Sequence, residues 1–269
     1  MQTTTSRDGT AVAYDRMGSG PAVAIVGGGP TTRVANGQLA GLLAERFTVF
    51  NYDRRGRGDS GDSAPYAVER EYEDLAAVIE AAGGSAFVVG SSGGAVLALR
   101  AAAAGVPISR LGLWEPSYIV AGTRPVPGRQ YKQRLETLVG HGRPGDALEL
   151  FFTDAVGLPA EMVSGMRMAP FWAAMEALAS TLVYDATVAG DFSVPAAALA
   201  SVTAPVVVFD GGTTPWLSAA AQAVAAALPV AVRITLDGQQ HAVEATALAP
   251  AIIAAFTNGG AAAATGVRA

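Results

Sequence analysis

No cysteine occurs in this 269-residue chain, which excludes disulfides, thiolate metal sites and cysteine nucleophiles together. Histidine is nearly absent too, and the two present leave little with which to hold a metal ion. There is no basic run, and the formal charge is −5; phosphate-backbone binding is therefore not expected, and nucleic acid is not an expected partner. Although 51% of the residues are hydrophobic, no apolar segment reaches the length of a membrane span, so no membrane association is expected. The opening residues, Met1 to Asp8, have neither the basic start nor the apolar run of a secretory signal. These absences lead to the expectation of a soluble, cytoplasmic protein. What the chain has in quantity is core-forming material: at this size about three quarters of the unfolded surface is buried on folding. Length allows one large α/β domain or two small ones. The alanine-rich residues 259–269 lack periodic apolar anchoring and are expected to form a loose tail.

The chain is organised around Phe87 to Gly94 and the apolar run that follows. The pattern reads as strand, sharp turn, helix. Its turn matches G-x-S-x-G with Gly90, Ser92 and Gly94, where small residues permit a strained backbone that lifts a serine hydroxyl out of the turn. Ser92 is thus the candidate nucleophile; centring the motif on Ser91 would put Val89 at a glycine position.

Around this stretch, strand and helix signals alternate. Thr3 to Tyr14 alternates about Asp8-Gly9 and predicts a hairpin. Pro21 to Val26 is a continuous apolar run, as in a strand buried on both faces, and ends in Gly27-Gly28-Gly29-Pro30. A helix is predicted from Ala35 to Arg46, a strand from Phe47 to Tyr52, and a helix from Glu69 to Ala82 with Leu75, Val78 and Ile79 on one side. The turn Asp53 to Ser60 carries Arg54, Arg55 and Arg57. No Walker lysine pattern accompanies them, and they read as a surface turn with local Asp/Arg pairing. After the strand Ile108 to Trp114 the pattern changes, and Ser117 to about Val202 reads as helical segments interrupted by prolines. Strand, helix and strand return at Ala204 to Asp210, Ser218 to Leu228 and Val230 to Leu236, with a closing helix around Leu248 to Phe256. Such alternation predicts a mostly parallel sheet with helices on both faces.

Taken together, these signals resemble the α/β-hydrolase superfamily, in its serine-nucleophile, cap-bearing, esterase- and haloperoxidase-like form. The residues that carry the resemblance are Gly27 to Pro30, Tyr52 to Ser60, the turn at Ser92, and His241 ahead of the last helix, each on the expected strand end. The resemblance implies an eight-stranded core from 1–116 and 203–258, with a helical cap inserted at 117–202. It places the catalytic base at His241, the other histidine being His141 in the cap. The usual position of the acid falls near Thr213-Thr214-Pro215, where no acid stands. A variant of the family places it after the strand before the cap, which selects Glu115, with Asp210 the rival and Asp237 more distant. Backbone N–H groups of Gly29 and Gly93 are implied as the oxyanion donors, each worth about 3 kcal/mol to the transition state. A histidine commonly precedes the glycine of the oxyanion loop; here Gly27 stands there, so a looser loop is expected.

Serine at the elbow argues against epoxide hydrolase and haloalkane dehalogenase chemistry, which needs a carboxylate nucleophile. The expectation is a serine hydrolase without cofactor or metal, acting on an apolar small-molecule ester, lactone or thioester. Trp216, Phe171 and Trp172 are the candidate substrate-binding residues. Two other classes use the same pocket: a cyclase or isomerase, and a ligand-binding protein without turnover. The sequence sets no oligomeric state.

Overall fold

Five largely buried runs become the middle of one sheet. They are β3 (Ala22–Val26), β4 (Thr48–Tyr52), β5 (Ala86–Ser91), β6 (Ile108–Trp114) and β7 (Val206–Asp210), flanked by the hairpin β1 (Gln2–Thr5) and β2 (Ala11–Met17) and by β8 (Ala231–Thr235). The structure, a computed structural model, describes residues 1–257; the tail expected at 259–269 lies outside the described residues. Strand order is β1-β2-β4-β3-β5-β6-β7-β8, antiparallel at β1/β2 and β2/β4 and parallel elsewhere. This is the eight-stranded, mostly parallel sheet of the α/β-hydrolase fold.

Parallel neighbours need crossovers, and helices supply them. Behind one face lie α2 (Val68–Ala81), α3 (Gly93–Ala103) and α10 (Pro215–Ala227), which bury Leu75, Val78, Leu97, Leu99 and Val224 against the sheet. Behind the other lie α1 (Gly37–Leu43) and α11 (Ala245–Thr257), with Leu43, Leu248, Ile252 and Phe256. From β3 the chain steps to β4 on one side, then crosses to β5 on the other. The loops after β3 and β5 therefore diverge, and a crevice opens above the carboxyl ends of these two strands.

Between β6 and β7 the chain forms α4 (Tyr131–Gly140), α5 (Pro144–Leu150), a π-helical turn (Phe151–Val156), α6 (Ala160–Arg167), α7 (Trp172–Glu176), α8 (Leu182–Ala189) and α9 (Ala196–Leu199). Three of the prolines that interrupt the apolar pattern mark helix starts: Pro144 opens α5, and Pro159 and Pro195 directly precede α6 and α9. These helices have a hydrophobic cluster of their own, with Leu135, Leu148, Leu150, Trp172 and Leu182. Among the described residues no helix is long and apolar enough to cross a membrane.

The arginine turn departs from its expected surface setting. Arg54, Arg55 and Arg57 are all buried. Arg54 donates to both carboxylate oxygens of Glu71 at 2.6 and 2.7 Å and to Asp185 of α8 at 2.8 Å. Arg55 holds both oxygens of Asp74 at 2.8 and 2.7 Å and reaches Asp8 at 3.0 Å. Arg57 donates to Asp185 at 2.7 Å and to the carbonyl of Gly29. Burial pushes the Glu71 carboxyl up, but the charge of Arg54 more than offsets it and leaves Glu71 below the ordinary carboxylate range. The local Asp/Arg pairing expected within the turn is not formed: the turn's own Asp53 and Asp59 pair with Arg33, and the three buried arginines instead reach acids elsewhere in the chain, among them Asp185 of the inserted helices. Removing one partner of such a buried pair strands the other charge, so Glu71→Ala is expected to cost about 3–5 kcal/mol. Urea unfolding of the variant measures this, and a loss below about 1 kcal/mol would mean that Asp185 alone satisfies Arg54.

Candidate active site

The turn after β5 is strained in the way its glycines permit. Ser92 has φ 54° and ψ −123°, a conformation L-residues rarely adopt, and its N–H donates to the Trp114 carbonyl at 2.9 Å. A Cβ on Gly90 would lie 2.8 Å from Ala95 Cα, and one on Gly94 would run into the carbonyls of Val26 and Gly27. Gly90 therefore lets α3 start directly against the end of β5, and Gly94 lets it pass close to the end of β3. The consequence is a serine side chain set at the crevice, at the N-terminus of α3.

His241 lies in the loop between β8 and α11. Its backbone is held by Trp114, whose indole N–H donates to the His241 carbonyl at 2.9 Å, and by Thr213, whose hydroxyl donates to the Gln239 carbonyl at 2.7 Å. Nε2 lies 3.1 Å from Ser92 Oγ, and Nδ1 lies 2.6 Å from Glu115 Oε2. Glu115 is the first residue beyond β6, has φ 41° and is fully buried. Its other oxygen accepts the Gly211 N–H at 3.0 Å. An ionised carboxylate only accepts, so the Nδ1 proton sits on the imidazole and leaves Nε2 free to accept from the serine.

Asp210 is turned away from this group. Its carboxylate takes Arg233 Nε at 2.7 Å, Arg233 Nη2 at 3.0 Å and the Ser218 hydroxyl at 2.8 Å, so it braces β7 against β8 and α10 and leaves the histidine to Glu115. Burial pushes the Asp210 carboxyl up, and the bonds from Arg233 and Ser218 more than offset this, holding it below its ordinary value. His141, directly after α4, is exposed and borders neither cavity beside Ser92.

The loop after β3 is anchored despite Gly27. Thr31 Oγ1 donates to the Gly28 carbonyl at 2.6 Å, Thr31 N–H donates to the Gly29 carbonyl at 3.0 Å, and Arg57 donates to the same Gly29 oxygen. A Cβ on Gly93 would sit 3.9 Å from the Gly29 nitrogen, so the two peptides face one small space. Among the described residues neither N–H has a protein acceptor. Two unpaired donors beside a serine hydroxyl are what an oxyanion needs. The Thr31 and Arg57 anchors were not read from the sequence.

Two cavities meet at this point. A deep one of about 190 Å³ is bordered by Ser92, His241, Tyr131, Phe192 and Trp216, and a wider one of about 670 Å³ runs over Ser92 and His241 toward Asn36 and Glu244. Trp216 lines the deep cavity. Phe171 and Trp172 line neither cavity. Phe171 is half exposed, and Trp172 is buried in the hydrophobic cluster of the inserted helices with its N–H bonded to Glu176. Tyr131, Phe192 and Phe151 border the deep cavity instead. Among the described residues no group of three or more His, Asp or Glu side chains is placed to hold a metal.

The alpha/beta hydrolase family model matches residues 8–256, and the chain belongs to that family. It is similar to an alpha/beta hydrolase from Sphaerobacter thermophilus, with 51% identity over 95% of this chain and 100% of the other and a TM-score of 0.92. At the level of fold it also matches an esterase from Thermogutta terrifontis (21% identity, 96% and 97% of the two chains, TM-score 0.69). A further match is the 2-hydroxy-6-oxo-6-phenylhexa-2,4-dienoate hydrolase of a Rhodococcus strain (19%, 95% and 98%, TM-score 0.65). No curated protein matches.

The Asp210 geometry makes a pH prediction. Because its folded pKa is depressed, its contribution is complete above the ordinary carboxylate pKa and is lost as pH falls through the lower folded value. Asp210→Asn is expected to cost about 2 kcal/mol near neutrality and to flatten the acid limb of stability. Urea unfolding of both proteins from about pH 6 down to about pH 3 tests it; parallel curves would mean the pairing contributes nothing.

Proposed function

We propose that this alpha/beta hydrolase is a serine hydrolase that cleaves an apolar ester, lactone or thioester through an acyl-enzyme, using protein groups alone. The observation that carries the reading is the unbroken series Ser92 Oγ, His241 Nε2 at 3.1 Å, and His241 Nδ1 at 2.6 Å from buried Glu115. It lies where two cavities and two unpaired N–H groups converge.

The chemistry follows from that order. As Ser92 Oγ bonds to the carbonyl carbon, His241 Nε2 takes the hydroxyl proton, and Glu115 stabilises the imidazolium and keeps its tautomer. The carbonyl oxygen becomes an oxyanion and accepts from the Gly29 and Gly93 N–H groups. The intermediate collapses with cleavage of the acyl–heteroatom bond, and the leaving oxygen or sulfur departs with the histidine's proton. Water then gives a proton to His241, attacks the acyl-enzyme and releases the acid, with Ser92 reprotonated. The wide cavity is bordered by exposed Ala35, Gln38, Ala242 and Glu244, so water has a route to the ester. That access favours hydrolysis over ring closure, which requires water to be kept out.

Intact mass after treatment with a fluorophosphonate should show one adduct on the wild type and none on Ser92→Ala. Glu115→Gln should lower kcat on a responsive ester by about 10⁴-fold. A folded wild type that takes no adduct would overturn the activated-serine reading.

A further inference from the structure

The two cavities share a wall. Phe151 and Val156, the first and last residues of the π-helical turn, border both, together with Gly29, Ser92 and His241. A Cβ on Gly29 would lie 3.8 Å from Phe151 Cζ, so the ring stands directly over the oxyanion loop. Resting on the proposed serine-hydrolase reading, we propose that this turn divides the site into a small acyl chamber and an open leaving-group groove, with Phe151 setting the acyl size limit. The substrate class is then a compact, uncharged acyl group on a larger alcohol, thiol or lactone remainder.

The turn is held rigidly enough to act as a partition. Phe151 packs edge-on against Phe152 with ring centroids 5.1 Å apart, and Phe152 lies against Trp172 at 6.1 Å. At its other end Arg124 donates to the carbonyls of Asp154, Ala155 and Val156 at 2.7, 3.1 and 2.9 Å. The same guanidinium stands 4.8 Å over the Trp216 ring, which lines the deep cavity. A π-helical turn is rare and recurs at functional sites.

The direction of the division follows from the histidine. His241 hands its proton to the leaving atom, so the leaving group must lie on the imidazole side. The residues that follow it, Ala242 to Thr246, border the wide groove and not the deep cavity. The acyl group is left with the deep cavity. Its volume of about 190 Å³ is little more than the roughly 150 Å³ of an apolar cavity that holds benzene, whereas the groove's 670 Å³ is of ordinary ligand-site size. Asp185 borders the acyl chamber; its Oδ1 is bonded to Arg54 and Arg57, which pairs its charge, while its buried Oδ2 has no hydrogen-bond partner among the described residues.

Two ester series separate the sides: p-nitrophenyl esters from acetate to octanoate, and acetates of alcohols from ethanol to decanol. In the wild type kcat/KM should fall roughly 100-fold from butyrate to octanoate, and stay within about 3-fold along the alcohol series. Phe151→Ala should raise the octanoate-to-acetate ratio of kcat/KM at least about 10-fold, and the milder Phe151→Leu should do so in part. Ala189→Leu, on the chamber wall, should tighten the acyl limit and lower the butyrate-to-acetate ratio of kcat/KM several-fold. Octanoate turned over as well as butyrate, or an acyl profile that none of the folded variants moves, would overturn the division alone. No ester turnover and no Ser92 adduct would overturn the hydrolase reading and the division with it.

Discussion

The Glu115 carboxylate is fully buried, and a buried charge persists only where every lone pair that matters has a donor. Its two oxygens meet His241 and the Gly211 N–H, so one side chain fixes three chain segments: the end of β6, the turn after β7 and the loop before α11. Gly211 has no alternative residue there, since a Cβ would overlap the Gln239 carbonyl of the histidine loop. The Trp114 indole, one residue before Glu115, secures the His241 backbone. Orientation of the imidazole is thus a consequence of how β6 ends.

That the order of chemistry along the chain was legible follows from local rules. Gly90, Ser92 and Gly94 specify a strand-to-helix turn wherever they stand between an apolar run and a helix, and with so few histidines His241 had one rival. Deciding between Glu115 and Asp210 required register, which no single segment carries. Both acids close adjacent strands, but Asp210 is still within β7, paired with Thr235, while Val208 pairs with Arg233. Side chains two apart on a strand share a face, so Asp210 and Arg233 meet across the ladder. Glu115 has left its strand and turned upward at positive φ.

The arginine turn was misjudged for a different reason. Composition does not separate a solvated ion pair from a buried one. The readable signal was on α2: Glu71 and Asp74 fall four residues before Leu75 and Val78 respectively, on its apolar side. Acids on the buried stripe of a helix need cations nearby, and the only dense supply was Arg54 to Arg57. Phe171 and Trp172 failed because aromatic content does not say which face of a short cap helix meets the crevice, and no local pattern announced the π-helical turn.

The loss of the usual histidine at Gly27 is offset through carbonyl oxygens. Thr31 and Arg57 donate to the Gly28 and Gly29 carbonyls, and a donor at the Gly28 carbonyl polarises the very peptide whose N–H belongs to Gly29. Arg57 does a second thing with the same guanidinium, since it also binds Asp185 of the cap. Desolvation lowers its pKa, and the neighbouring Arg54 lowers it further, so its charge is tolerated only while its acceptors stay in place. Arg57 therefore links the inserted helices to the loop after β3, beside Arg54, which shares Asp185, and Thr31, which shares the loop carbonyls. α8 carries Asp185 and also borders the deep cavity through Ala186, Val188 and Ala189, so one helix supplies both the acceptor of Arg57 and part of the cavity wall.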